Sequence, residues 1–184
     1  MSKTSFKEDL EKAVAFHGHL CAGQVIGTRI SRLALEHFGI EDAESYRDLV
    51  AFVEADRCLA DAITSVTACH IGKRRLKWHD LGKMAACFYD IPSGKAIRIA
   101  SINNEKAPEG ADLVEYFEQF SDEQMFKVED VELDIDEYDL PGRPKRSVIC
   151  EQCGEKVMDN RDVEVDGQVL CKTCAGLESY YRVL

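Results

Sequence analysis

Two Cys-x2-Cys pairs, Cys150/Cys153 and Cys171/Cys174, separated by residues 154–170, constrain the end of this chain more than any other feature. Zinc takes four tetrahedral ligands, and four thiolates close its shell completely. Each pair brings two sulfurs to one side of a tight turn. Gly154, directly after the second cysteine, supplies left-handed backbone there. Val163, Val165 and Val169 flank Asp166-Gly167, a hairpin signal. Cys171 is expected to start a final helix running toward Tyr180. A segment this short has too little core to fold unaided, so the ion is expected to hold it together.

That order of knuckle, hairpin and helix resembles a treble-clef or zinc-ribbon finger. A closed shell leaves no position for substrate, so the finger is read as structural, or as a lid or protein contact, rather than catalytic. Acids outnumber bases in residues 147–184, which speaks against nucleic acid as its partner. The whole chain agrees, with 34 Asp+Glu against 23 Lys+Arg and a formal net charge of -11. Such a balance repels nucleic acid and anionic membrane surfaces. The first eleven residues lack an apolar leader core, and no apolar run approaches the ~18 residues of a membrane span. A cytoplasmic protein without a membrane partner is expected. In that reducing setting the eight cysteines point to metal or thiol chemistry rather than disulfides.

Ahead of the finger, Pro141-Gly142-Arg143-Pro144 reads as a linker. The expected division is a main domain over 1–140, a linker over 141–146 and the finger over 147–184. In the main domain Ser5 and Glu8 form a capping box opening a first helix, which His17-Gly18-His19 interrupts. Ile26, Ile30, Leu33 and His37 share one face of a second helix, about 23–38, closed by Gly39. Gly23 and Gly27 are poor helix formers, explained if another backbone packs closely there. Further elements are a buried strand at 49–54, a third helix from 57 or 58 to about 70 ended by Gly72, and strands 84–90 and 95–102. The last two are joined at Pro92-Ser93-Gly94. A fourth helix is expected at 109–120 and an acidic edge strand at 125–139.

The second chemical feature is Phe16-His17-Gly18-His19-Leu20-Cys21. In an extended segment His17, His19 and Cys21 alternate onto one face, presenting three ligands suited to zinc or another transition metal. The following helix N-terminus favours a thiolate at Cys21. Cys58, at the start of the third helix, can join them as a fourth ligand. Cys69 lies about three helical turns on, roughly 16 Å away, so one ion cannot take both. Cys69 then belongs elsewhere in the cavity, beside Lys73 or Lys83. Cys87, on a strand, is read as packing, His37 as a half-buried helix residue, and His70 and His79 as surface groups.

These residues carry a family resemblance. Phe-His-Gly-His-Leu-Cys-Ala-Gly at 16–23, with Gly27 and Arg29, resembles the signature of the FmdE family, proteins named for formylmethanofuran dehydrogenase, although the family usually has Pro where Ala22 stands. Asp56-Arg57-Cys58-Leu59-Ala60-Asp61-Ala62-Ile63 is similar to its second block, and so is Val66-Thr67-Ala68-Cys69 with Gly72-Lys73, where Ala68 and His70 replace a more usual Gly and Thr. Asp80-Leu81-Gly82-Lys83 resembles a third. The resemblance spans about residues 5–140. It implies an α+β domain, helices packed on a mixed or antiparallel sheet, that forms a homodimer around a His/Cys-lined cavity. It also implies association with molybdenum- or tungsten-dependent formylmethanofuran dehydrogenase.

Three functions follow. The first is a metal-binding accessory or regulatory protein of one-carbon or molybdenum/tungsten metabolism, with a metal or small-molecule ligand in the main domain and a partner docked by the finger. The second is a stand-alone zinc- or thiol-dependent enzyme, with Cys21, Cys58, Cys69 and Lys83 as candidate catalytic groups and His17 or His19 as acid/base. The third is a zinc-finger transcriptional regulator, disfavoured by the charge. The pattern favours the first, because it contains no complete catalytic grouping.

Overall fold

The computed structural model describes residues 3–182 and divides into two units, ending and beginning at Asp134 and Ile135. This division precedes the expected linker and falls inside the acidic segment.

In the first unit, helix α1 (Phe6–His17) opens at Ser5, whose hydroxyl accepts the Glu8 amide at 3.2 Å while its own amide donates to the Glu8 carboxylate at 2.7 Å. This is the reciprocal cap that the sequence predicts. Gly18 stops the helix at φ +98°. After a short extended turn, α2 (Ala22–His37) starts behind Cys21, which is itself extended at φ −145°. The predicted stripe is buried at Ile26 and Ile30, while His37 is exposed rather than half-buried.

Strand β1 (Leu49–Val53) leads into α3 (Cys58–Thr67). Helices α2 and α3 approach so closely that a Cβ on Gly27 would sit 2.6 Å from the Ala62 Cβ, and one on Gly23 2.7 Å from the Cys58 Cβ. Those two glycines therefore set the contact between the helices. Helix α3 ends at Thr67, earlier than Gly72, because Ala68 turns left-handed at φ 55°. The buried Arg75 guanidinium then holds the freed Ala68 carbonyl and donates to the Tyr46 carbonyl at 2.8 Å.

Strand β2 (Leu76–Trp78), unforeseen in the basic stretch, pairs parallel to β1 through Ala51↔Leu76 and Val53↔Trp78. Strands β3 (Ala85–Asp90), β4 (Lys95–Ser101) and β5 (Phe126–Val131) follow antiparallel, in the order β2-β1-β3-β4-β5. The sheet is thus mixed and the unit α+β. Leu49, Ala51, Val53, Phe88, Ile97 and Ile99 face the helices and are buried in one core with Ile30, Leu59 and Ile63.

Helix α4 (Leu113–Glu118) is shorter than expected because Asp112 caps it, accepting from Val114 and Glu115 amides at 2.8 and 3.0 Å. A one-turn α5 (Asp122–Met125) has its own capping box at Ser121 and Gln124. β5 stops at Val131, well short of residue 139.

The second unit carries two hairpins, β6 (Ser147–Ile149) with β7 (Lys156–Met158) and β8 (Asp162–Val165) with β9 (Gln168–Cys171). Asp166 and Gly167, at φ 51° and 80°, make the predicted tight turn. The final helix does not form among the described residues. One turn closes from the Ala175 amide to the Cys171 carbonyl at 3.0 Å, and then Gly176 at φ +70° reverses the chain. Leu177 and Glu178 fold back onto the Lys172 carbonyl instead.

Candidate metal centres

In the second unit the knuckle and the β8–β9 hairpin bring Cys150, Cys153, Cys171 and Cys174 together, each offering a sulfur within 4.8 Å of the others. Gly154 takes φ +76°, and its amide returns to the Cys150 carbonyl at 2.9 Å. Amides also aim at sulfur: Cys171 at Cys150 Sγ and Cys174 at Cys171 Sγ, both at 3.3 Å. Cys150 is in electrostatic conflict with Cys153 and Cys174. Backbone N–H donors, at Cys153 first and then Cys171, pull Cys150 down to about 6. Hydrogen bonding to Cys171, with burial, pushes Cys174 up to about 12. A divalent cation resolves the conflict by neutralising sulfurs already held at ligand spacing. The donor set fits a structural zinc.

The first unit contains a different cluster. The segment is not extended as expected: His17 ends α1, Gly18 turns left-handed at φ +98° and His19 lies in a bend, and this turn brings together His17, His19 and Cys21, whose ligand atoms lie within 4.8 Å of one another. The two imidazoles lie 4.6 Å apart between centroids at 39°. His17 Nδ1 lies 2.8 Å from Asp61 Oδ2 on α3. A carboxylate only accepts, so in the neutral ring this contact selects the tautomer with the proton on Nδ1 and the lone pair on Nε2. That Nε2 is buried and has no hydrogen-bond partner among the described residues. A buried nitrogen without a partner is costly, and a cation at that point removes the cost.

Cys58 stands beside this set rather than inside it: its thiol hydrogen-bonds with Cys21, and burial first, then that contact, raises its pKa. Gln24 Nε2 anchors the Cys58 carbonyl at 2.7 Å, and the close approach at Gly23 fixes the same residue from the other side.

A cavity of about 470 Å³ adjoins the cluster, lined in part by His17, Arg57, Cys58, Asp61, Ile71 and Trp78. Trp78 is 51 % exposed, and Arg57 is exposed at the N-cap of α3. Both are accessible to a ligand.

The remaining candidates lie apart. Cys69 is fully buried, donating to the Leu49 carbonyl at 3.4 Å, and burial raises its pKa. It faces neither Lys73 nor an open cavity, because the early end of α3 turns it toward β1. Cys87 on β3 is buried, with its thiol pushed up to about 11 chiefly by burial. Lys83 is exposed, and its backbone amide bonds the Glu54 carbonyl at 3.1 Å. His79 is exposed beside Phe52, and His70 is half-buried, with burial lowering its pKa. Asp61 was legible only as a neighbour of Cys58, since nothing local in sequence ties it to His17. Among the described residues no helix is long and apolar enough to cross a membrane.

Both clusters lie within stretches that match known families. Residues 16–141 match the family described as FmdE, molybdenum formylmethanofuran dehydrogenase operon, and residues 144–180 match the prokaryotic dksA/traR C4-type zinc finger. A "probable S-adenosyl-L-methionine-binding protein" of Archaeoglobus fulgidus is 32% identical over 206 aligned positions, covering 95% of this chain and 54% of its own. The chain thus spans about half the length of that relative. A tungsten formylmethanofuran dehydrogenase FmdE-like protein from Syntrophus aciditrophicus shares the fold. Its crystal structure matches with a TM-score of 0.60 at 24% identity, covering 97% of this chain and 96% of the other.

Proposed function

This chain belongs to the FmdE family, and from that membership we propose that it is a metal-binding accessory protein of a molybdenum- or tungsten-dependent one-carbon system. It carries a second transition-metal ion on His17, His19 and Cys21, distinct in kind from the structural zinc of the finger. The observation that carries this reading is the buried, unpartnered Nε2 of His17, on a ring that offers a ligand atom within 4.8 Å of those of His19 and Cys21. Three protein ligands leave a coordination position for a water or small molecule, and a metal there supplies Lewis acidity. The chain's own residues present donors, hold the His17 ring and wall off one side with α3. The finger is proposed to dock the partner enzyme, and the first unit to pair with a second copy. Elemental analysis tests the central point: about two metals per full-length chain are expected, falling to about one in Cys21→Ala. One metal per wild-type chain overturns it.

A second reading concerns what enters the cavity. The Archaeoglobus relative is called a probable S-adenosyl-L-methionine-binding protein. The cavity sets Trp78 for stacking beside Arg57 for a carboxylate and Asp56 for an ammonium group. Calorimetric titration with S-adenosyl-L-methionine should give saturable binding that Trp78→Ala weakens. Binding that ignores Trp78→Ala places the ligand elsewhere.

A further inference from the structure

The first turn of α3 faces the His17–Cys21 segment with a carboxylate and a thiol, and the carboxylate is already engaged. Asp61 Oδ2 accepts from His17 Nδ1 at 2.8 Å across 44 residues of sequence. The His17 side chain is only 16% exposed, whereas that of Asp61 is 46% exposed. The ring is therefore held from one edge, and its other nitrogen is buried and unpartnered among the described residues. A histidine that binds metal through one nitrogen is commonly oriented by an acceptor on the other, which fixes the tautomer and raises the basicity of the ligating atom. The His17 ring in turn packs on His19 at 4.6 Å, so its orientation bears on the second imidazole too. Asp61 lies on the half-exposed side of a helix whose Leu59, Ala62 and Ile63 fill the core, so its carboxylate is not part of that core.

We infer that Asp61 is the positioning residue of the amino-terminal metal centre, holding His17 as an Nε2 ligand and thereby setting that centre's affinity; this rests on the metal-binding reading given above. Asp61 touches no metal. It acts by keeping the lone pair of Nε2 turned toward His19 and Cys21 rather than toward solvent. The carboxylate contributes both orientation and negative charge, and an amide retains only the first, so the two contributions separate in Asp61→Asn and Asp61→Ala.

The test is titration of full-length protein, its finger loaded with zinc, with cobalt(II), followed by the visible spectrum of a thiolate- and imidazole-bound ion. Asp61→Ala should bind the second equivalent roughly 10- to 100-fold more weakly, and Asp61→Asn should fall between it and wild type. Asp61→Glu should restore part of the loss. The cobalt spectrum of Asp61→Ala should change in band position, while its melting temperature without the second metal stays that of wild type. A purely structural carboxylate would lower that melting temperature and leave the affinity of the folded protein and its spectrum alone. Asp61→Ala binding as tightly as wild type, with the same spectrum, overturns the positioning role while leaving the metal centre standing. Wild-type protein that takes up no cobalt beyond the finger overturns both.

Discussion

The two clusters use overlapping donor types and solve opposite problems. In the finger, Cys150, Cys153, Cys171 and Cys174 supply a complete shell, but the surrounding strands are three or four residues long and bury little beyond Cys150 and Leu170. There the metal makes the structure. In the first unit the order is reversed. A five-stranded sheet and three helices are packed around a shared apolar core, and His17, His19 and Cys21 lie outside that core rather than building it. A closed shell on a weak scaffold stabilises, and the open shell proposed for the first unit, on a strong scaffold, would be free to bind and release.

The sharpest way to break this comparison is Cys153→Ser. The finger should release its zinc and lose the ordering of residues 147–182, since apparent zinc binding of about 10–16 kcal/mol is its folding free energy. NMR amide dispersion from the first unit should persist, and loss of the sheet signals as well would erase the distinction. Next in size is Cys21→Ala, which should remove the second metal equivalent with the melting profile of the first unit intact. Coincident loss of fold would make that centre structural as well. A smaller effect is expected from Gly27→Ala, whose methyl would meet Ala62 at 2.6 Å and the Leu59 carbonyl at 3.1 Å. Overpacking of this kind costs about 1–3 kcal/mol. It should lower the melting temperature of the first unit and, by displacing the start of α3, weaken the second metal, with no change at the finger.

The smallest effect concerns acid. Arg98 donates to both oxygens of the buried Glu54 at 2.6 and 2.8 Å, and this pairing holds the Glu54 carboxyl below its ordinary 4.5. A depressed carboxylate contributes stability that is present above its unfolded pKa and lost as pH falls through the folded one. Denaturation midpoints of the first unit should therefore decline below about pH 4.5. Glu54→Gln should be less stable at neutral pH and show a shallower decline. An unchanged acid slope would remove Glu54 from the account.

How much of this could be read from the chain depended on whether the signal was local. The caps of α1, the Asp166-Gly167 turn and all four finger cysteines are short patterns, and they appear where their spacing predicts. The His-x-His-x-Cys run is equally local and brings its side chains together, though through the end of α1 and the left-handed Gly18 rather than through the alternation of an extended segment. The failures share a cause in long-range partners. Strand β2 exists because Ala51 and Val53 pair with Leu76 and Trp78, and three residues after a basic run carry no periodicity of their own. Helix α3 stops at Thr67 where Ala68 turns left-handed, and the distant Arg75 satisfies the carbonyl this frees. The expected helix after Cys171 competes with a turn at Gly176 that draws Leu177 and Glu178 back to Lys172. Asp61 belongs to the same class, since only the packing of α3 on α1 reveals its partner.

That long reach from His17 to Asp61 also orders events in time. Synthesis delivers the amino end first, so His17, His19 and Cys21 emerge as a bare peptide well before the carboxylate that steadies them. An ion caught at that moment sits on an unfixed ring and exchanges readily. The proposed site is complete only once α3 has closed the loop. The finger's four sulfurs, confined to residues 150–174, arrive last but nearly together, and need only a short closure. On the proposed reading each new molecule meets its metal supply twice, first as a finished pocket waiting to be filled and then as a segment that cannot be finished without the ion.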